Sequence, residues 1–251
     1  MYKAPSIEKL ARMMDLVKYV IFPDYSPIPS WTDGAEAIRD ILNSQVAATT
    51  ELRTDLTDRF ISSLPEIARL LHTDVEAVLH NDPAVSDVGE VILCYPLVTV
   101  MLHYRVAHQL YLLGIPRIPR MLTEMAHSST GIDIHPAATI GEYFAIDHGT
   151  GVVIGATSII GNHCMLYQGV TLGAKNFSYD ENGHPIDLPR HPILEDNVTV
   201  YSNTSILGRV TIGHDSIIGG NIWLTHDVPA GTKVLQARSV QIPSFDSGAG
   251  I

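Results

Sequence analysis

Aliphatic residues recur at every sixth position through much of the second half of this chain. Leu194, Val200, Ile206, Ile212, Ile218 and Leu224 fall at strict six-residue spacing. Upstream, Ile134, Ile140, Ile146, Val152 and Val170 keep the same phase, with Ser158 and Cys164 in the two slots between. A period of six fits neither an amphipathic helix, which repeats near 3.6, nor the two-residue alternation of an isolated strand. It fits a parallel β-helix, in which each hexapeptide makes one short strand and one corner and each turn buries its apolar side against the next. Small residues after the aliphatic one, as in Ile140-Gly141, Ile212-Gly213 and Ile218-Gly219, give the backbone room to turn.

Residues before this repeat read as helical. Ser6 can cap a helix carrying Leu10, Met13, Met14, Leu16, Val17 and Val20. Thr32 or Asp33 opens a second helix, and a third runs from about Thr49 through Ile61. A short one follows over Pro65 to Leu71, and Thr73 with Glu76 forms a capping box for another that ends near His80. Asn81-Asp82-Pro83-Ala84 interrupts the pattern, since a residue before proline is biased away from helix. Two more helices span about 96–113 and 116–128. The expected fold class is α+β: an all-helical domain over 1–130, then a left-handed parallel β-helix of hexapeptide repeats over 131–233. One protruding polar loop, 174–190, interrupts the coil, and a C-terminal tail, 234–251, follows it, expected to be mobile from Ser239 to Ile251.

A net charge of −11 without any Lys/Arg-rich run argues against nonspecific nucleic-acid binding, which depends on phosphate neutralisation. Two cysteines, Cys94 and Cys164, are too few for a disulfide framework and suit a reducing cytosol. The N-terminal residues lead into an amphipathic pattern instead of a signal-peptide core. The most apolar run, Val91 to Leu102, is too short for a membrane span. A soluble cytoplasmic protein is the expectation.

Twelve histidines are many for this length, and most suit a solvated surface. His148 differs in its surroundings, Ile146-Asp147-His148-Gly149-Thr150-Gly151, where two glycines leave the neighbouring backbone uncovered. An imidazole serves as general base near neutral pH, and works best when a carboxylate holds its other ring nitrogen. Asp133, fifteen residues earlier, is expected on the adjacent turn of a coil with about 18 residues per turn. Asp147 is nearer in sequence, but neighbours in a strand point to opposite faces.

Several stretches taken together resemble one family. Asp133-Ile134-His135-Pro136-Ala137-Ala138, Asp147-His148-Gly149-Thr150-Gly151, Val170-Thr171-Leu172-Gly173, Arg190-His191-Pro192 and, in the helical part, Asp82-Pro83-Ala84-Val85 are similar to the serine O-acetyltransferases of the hexapeptide-repeat acyltransferase superfamily. The resemblance implies acetyl transfer from acetyl-CoA to L-serine in cysteine biosynthesis, with no metal required. It makes His148 the base and Asp133 its orienting partner. Serine would be held at its ammonium by Asp82 and Asp147 and at its carboxylate by Arg190 and His191, residue types that suit those charges. Acetyl-CoA would lie along backbone near Gly173, Ala174, Ser202 and Gly220, between neighbouring subunits of a homotrimer, or of a hexamer paired through 1–130. L-cysteine, a near isostere of serine, would compete with it. Family members often end in isoleucine, which inserts into O-acetylserine sulfhydrylase, and this chain ends in Ile251. It departs from the family at Ala174-Lys175-Asn176-Phe177, where a glycine-rich run is usual, in the longer loop before Arg190, and at Val234-Leu235-Gln236-Ala237-Arg238.

Three other readings share the scaffold. An acetyltransferase acting on a sugar or another small hydroxyl or amine would use His148 but would not need Asp82 and Arg190. A zinc enzyme would need three converging ligands, and the spacing expected for a third beside His148 and His163 is missing. A non-catalytic scaffold that binds the sulfhydrylase through Ile251 would be indifferent to loss of His148. Cys164, in an inward slot, is a poor nucleophile for a covalent route.

Overall fold

The computed structural model describes residues 4–27, 30–50, 54–176, 179–184, 186 and 188–237. The expected mobile segment from Ser239 to Ile251 lies outside these residues, as does Phe177. Six α-helices come first among the described residues: α1 Ile7–Ile21, α2 Trp31–Val46, α3 Thr54–Asn81, α4 Val88–Cys94, α5 Pro96–Leu112 and α6 Ile118–Thr130. Ser6 caps α1, accepting the Lys9 N–H as its position suggested. The cap of α2 is Ser30 instead of Thr32 or Asp33, its hydroxyl accepting the Asp33 N–H and donating to the Asp33 carboxylate.

Three expected elements merge. The helices anticipated around Phe60, Pro65–Leu71 and Thr73–His80 form the single 28-residue α3, with Pro65 inside it. Proline removes one intrahelical hydrogen bond and crowds the preceding turn. Here buried Phe60, Leu64, Ile67, Leu71 and Val75 keep the segment helical by packing on the core. Thr73 is therefore no cap. Its hydroxyl donates to the Leu70 carbonyl and accepts the Tyr143 N–H of the coil. The short α4, capped by Asp87, was not foreseen. No single described helix is long and apolar enough to cross a membrane, and only α4 and α5 together, bent by 68°, would pass that test. In the structure α5 buries Leu97, Val98, Met101, Val106 and Leu110 in the core.

The coil is a three-sided solenoid of parallel strands, β1 to β14. One sheet stacks β1 (Asp133–Ile134), β4 (Val153–Ile154), β7 (Thr171–Gly173), β10 (Ser205–Leu207) and β13 (Trp223–Leu224). A second stacks β2 (Thr139–Ile140), β5 (Ile159–Ile160), β8 (Ile193–Leu194) and β11 (Thr211–Ile212). The third stacks β3 (Ala145–Asp147), β6 (Met165–Tyr167), β9 (Thr199–Val200), β12 (Ile217–Ile218) and β14 (Lys233–Val234). Buried Ile134, Ile154, Leu172, Ile206 and Leu224 form one inward column.

The column corrects the expected phase. Ile134 to Ile154 is a turn of twenty residues, whereas Ile154 to Leu172 is one of eighteen. Val152, Ser158, Cys164 and Val170 are buried as expected, but they occupy a second inward row, two residues before the strand row, stacked above Ile132, Ala138 and Phe144. Burial also pushes the Cys164 thiol up to about 11, so it is a weak nucleophile, as its slot suggested.

Helices and coil share one apolar core. At their junction buried Arg105 of α5 grips buried Asp74 of α3 with two hydrogen bonds of 2.6 and 2.7 Å and donates to the Gly141 carbonyl. Tyr104 donates to the Ala138 carbonyl. These polar ties fix α3, and the residues just beyond its C-terminus, against the first turn.

Candidate active site

Two edges of the solenoid gather the candidate site residues. The first runs between the third and first sheets, where chain leaving β3 climbs to β4. Ile146 points inward, so Asp147 points out. His148 then takes φ 56° and turns the corner, leaving its side chain 74% exposed with Nε2 3.9 Å from Asp147 Oδ1. Gly149 follows at φ 86°, where a Cβ would lie 2.5 Å from the Ile132 side chain of the turn below.

Asp133 flanks the same corner from below, its N–H donating to the Val152 carbonyl. The expected contact with His148 is not formed, and no hydrogen bond or ion pair joins the two among the described residues. Asp133 instead lies 3.4 Å from Arg120 of α6, which also pairs with Glu124. Glu124, His127 and Asp133 present ligand-type atoms within 4.8 Å of one another. The Arg120 guanidinium already supplies positive charge to both carboxylates there.

Asp82 follows the end of α3 directly. Its Oδ1 accepts the Ala84 N–H at 2.8 Å and its Oδ2 the Tyr95 hydroxyl at 2.7 Å. These bonds, the tyrosine's first, hold its carboxyl below the usual range, and the nearby His148 adds to the effect. The Tyr95 phenol is pushed up to about 12, chiefly by the same bond to Asp82. Asp82, Tyr95, Asp147 and Met165 line one small cleft. Tyr167 and Tyr201 stack beside it, ring centroids 4.7 Å apart. Burial first, then Tyr201, Asp147 and Asp82, raises the Tyr167 phenol, so both carboxylates act on this side of the edge.

The second edge lies between the first and second sheets. Here Thr157 organises the end of the protruding loop, its hydroxyl oxygen accepting the N–H groups of Arg190 (2.9 Å) and His191 (3.1 Å). The Thr157 N–H donates to Nδ1 of His191, which places the imidazole proton on Nε2. His191 is buried, and Arg209 donates to the carbonyls of both Thr157 and His191. A cleft of about 490 Å³ beside them is lined by Tyr111, His135, Thr157, Pro189, Arg190 and Arg209, with two guanidinium groups and, among the described residues, no carboxylate.

The sequence-predicted residues thus divide. Asp82, Asp133, Asp147 and His148 gather at the first edge, with Ser202 and Gly220 farther along it, where the Asn221 N–H donates to the Ser202 carbonyl. Arg190 and His191 belong to the second edge, with Gly173 and Ala174, where the Gly208 N–H donates to the Gly173 carbonyl.

No protein-family model matches the chain. The "Serine acetyltransferase, plasmid" of Synechococcus elongatus is 41% identical over 278 residues, covering all of this chain and 87% of its own length. The chain belongs to the serine acetyltransferase family. Among solved serine acetyltransferases, isoform 3 from Entamoeba histolytica in complex with cysteine superposes with a TM-score of 0.82. It is 31% identical and covers 98% of this chain and 86% of its own. A serine acetyltransferase complex with CoA gives a TM-score of 0.64 at 26% identity, covering 91% and 83%.

In this serine acetyltransferase, three residues at the two edges had escaped the sequence reading. Tyr95 stands before Pro96 in a run that reads only as apolar helix. Gly155 and Thr157 fall in an ordinary hexad, and nothing in the spacing marks them as partners of a histidine 34 to 36 residues later.

Proposed function

We propose that this serine acetyltransferase moves the acetyl group of acetyl-CoA to the hydroxyl of L-serine, giving O-acetylserine, at a site shared by two copies of the chain. The observation that carries this reading is the division of charge between two solenoid edges. Asp82 and Asp147 beside the exposed imidazole of His148 suit an ammonium, and Arg190 and Arg209 suit a carboxylate. One amino acid offers both charges a few ångströms apart, whereas the two half-sites belong to different edges of one prism. Head-to-tail apposition of the first edge of one copy and the second edge of the next completes the site, and repetition closes a ring. The ring proposed is a homotrimer.

In the assembled site His148 takes the serine hydroxyl proton as the oxygen forms its bond to the thioester carbonyl carbon. The carbon–sulfur bond then breaks, and the imidazolium returns the proton to the departing thiolate. Asp133 takes part once the imidazole swings from solvent toward the corner that both residues flank, replacing its 3.4 Å contact with Arg120. Its carboxylate then orients the ring and stabilises the imidazolium. Asp133→Asn accordingly lowers kcat and leaves the serine KM near its parent value. The small or turning residues Gly173, Ala174, Ser202 and Gly220 let CoA approach the main chain between copies. L-cysteine, with the same ammonium and carboxylate as serine, competes for the acceptor site.

The test is release of CoA thiol from acetyl-CoA with L-serine, homoserine and a set of sugars as acceptors. A clear preference for serine is expected. Preference for a sugar would replace this reading with the sugar-acetyltransferase alternative.

A further inference from the structure

We propose that Tyr95 is a positioning residue for the acceptor's ammonium, acting through Asp82. The inference rests on the reading that Asp82 and Asp147 receive that ammonium. Asp82 stands in the break after α3, outside any helix or strand, where no regular backbone fixes its rotamer. Both of its oxygens are nevertheless committed in one orientation, Oδ1 to the Ala84 amide and Oδ2 to the Tyr95 hydroxyl. The tyrosine is itself anchored. It is the N-cap of α5, its N–H donates to the Val91 carbonyl, and Leu97 and Val98, in the first turn of that helix, are buried in the core. The phenol thus reaches Asp82 from a rigid element, on the wall of the cleft that Asp147 also lines.

A phenol has one proton, and here it is given to Asp82. Each carboxylate oxygen keeps a further lone pair, so the bond fixes the group without using up its capacity to accept from an ammonium. A carboxylate already aimed loses less orientational freedom when substrate binds, and this gain appears in affinity. Removing the hydroxyl while keeping the ring frees the carboxylate to rotate. Tyr95→Phe should therefore raise the serine KM about fivefold to twentyfold, in the range expected for a hydrogen bond to a charged group at a partly exposed site. The inhibition constant for L-cysteine should rise in parallel, because it carries the same ammonium. The KM for acetyl-CoA and the melting temperature should move little, which a merely structural role would not predict.

The experiment compares the intact protein with Tyr95→Phe, Asp82→Asn and the double variant, measuring kcat and KM for serine and for acetyl-CoA. Expected are a raised serine KM in each single variant and an effect in the double variant close to that of Asp82→Asn alone, since the phenol acts through the carboxylate. A serine KM within twofold of the parent in Tyr95→Phe, while Asp82→Asn raises it, would overturn the role of Tyr95 and leave the ammonium site standing. Fully additive effects would also overturn it, by showing that the phenol acts on its own. If Asp82→Asn leaves the serine KM unchanged, the placement of the ammonium is wrong and the role of Tyr95 falls with it.

Discussion

Gly155 lies so close under the imidazole of His191 that a methyl group there would sit 1.9 Å from the ring's Cδ2. The contact spans two successive turns at the second edge and seats the ring closely against the coil, while Thr157 fixes its tautomer.

Gly155→Ala must therefore displace His191 or spread the turns. The expected cost is about 1–3 kcal/mol of stability, the usual range for overpacking a close-fitted site. The serine KM should rise with it, because Arg190 is tied to the same threonine. Denaturant unfolding and steady-state kinetics of this variant check both effects. An unchanged serine KM beside a large loss of stability would separate His191 from the acceptor site.

Two buried histidines should cost the fold stability as the solution is acidified from about pH 7. Burial holds His103 and His108 of α5 below the ordinary imidazole value, against the pull of the Thr99 and Pro136 carbonyls that their ring nitrogens contact. The unfolded chain, with imidazoles near 6.5, takes up these protons before the folded chain does. Their contribution is complete above that value and is lost as pH falls through it. Burial holds the Asp74 carboxyl above its usual range, which acts in the opposite direction as pH falls. The histidines are therefore read by difference: the urea midpoint of the parent should decline relative to that of His103→Gln with His108→Gln between about pH 7 and pH 5.5. An identical slope in the double variant would assign the acid sensitivity elsewhere.

The solenoid was legible because its signal is repeated in every turn, so that no single residue decides it. Its phase was not, for a physical reason. Each hexad has two inward positions, and in the second turn and the start of the third the pairs Val152/Ile154, Ser158/Ile160, Cys164/Leu166 and Val170/Leu172 are both buried. A two-residue lengthening of the first turn exchanges one row for the other without exposing anything. Pro65 misled for the opposite reason: a strong local signal was overridden by packing along α3. At the first edge, His148 stood out by a short motif and its glycines, but strand alternation argued against Asp147 as its neighbour. The positive φ of His148 sets that alternation aside and brings the two side chains within 3.9 Å. The bond from Tyr95 to Asp82 joins residues 13 apart across two helix ends, and no periodicity reports such a pair. The position of Asp133 depends on where α6 delivers Arg120, which is likewise a matter of tertiary packing.

Subunit mixing tests whether the two edges belong to one site. Chains carrying His148→Ala and chains carrying Arg190→Ala should each be weakly active alone. Co-expressed, they should regain activity, with about a quarter of the sites in randomly mixed rings receiving an intact histidine edge and an intact arginine edge. Activity no greater than the mean of the two parents would contradict a shared site.

The account stands on an imidazole that accepts a proton from the serine hydroxyl, and the turnover of His148→Ala with saturating L-serine and acetyl-CoA measures that directly. Because the side chain is mostly solvent-exposed, the variant should fold normally. Its kcat should fall by about two to four orders of magnitude, the range for loss of a general base. Turnover within a few-fold of the parent, in a protein of unchanged stability, would contradict the proposed chemistry.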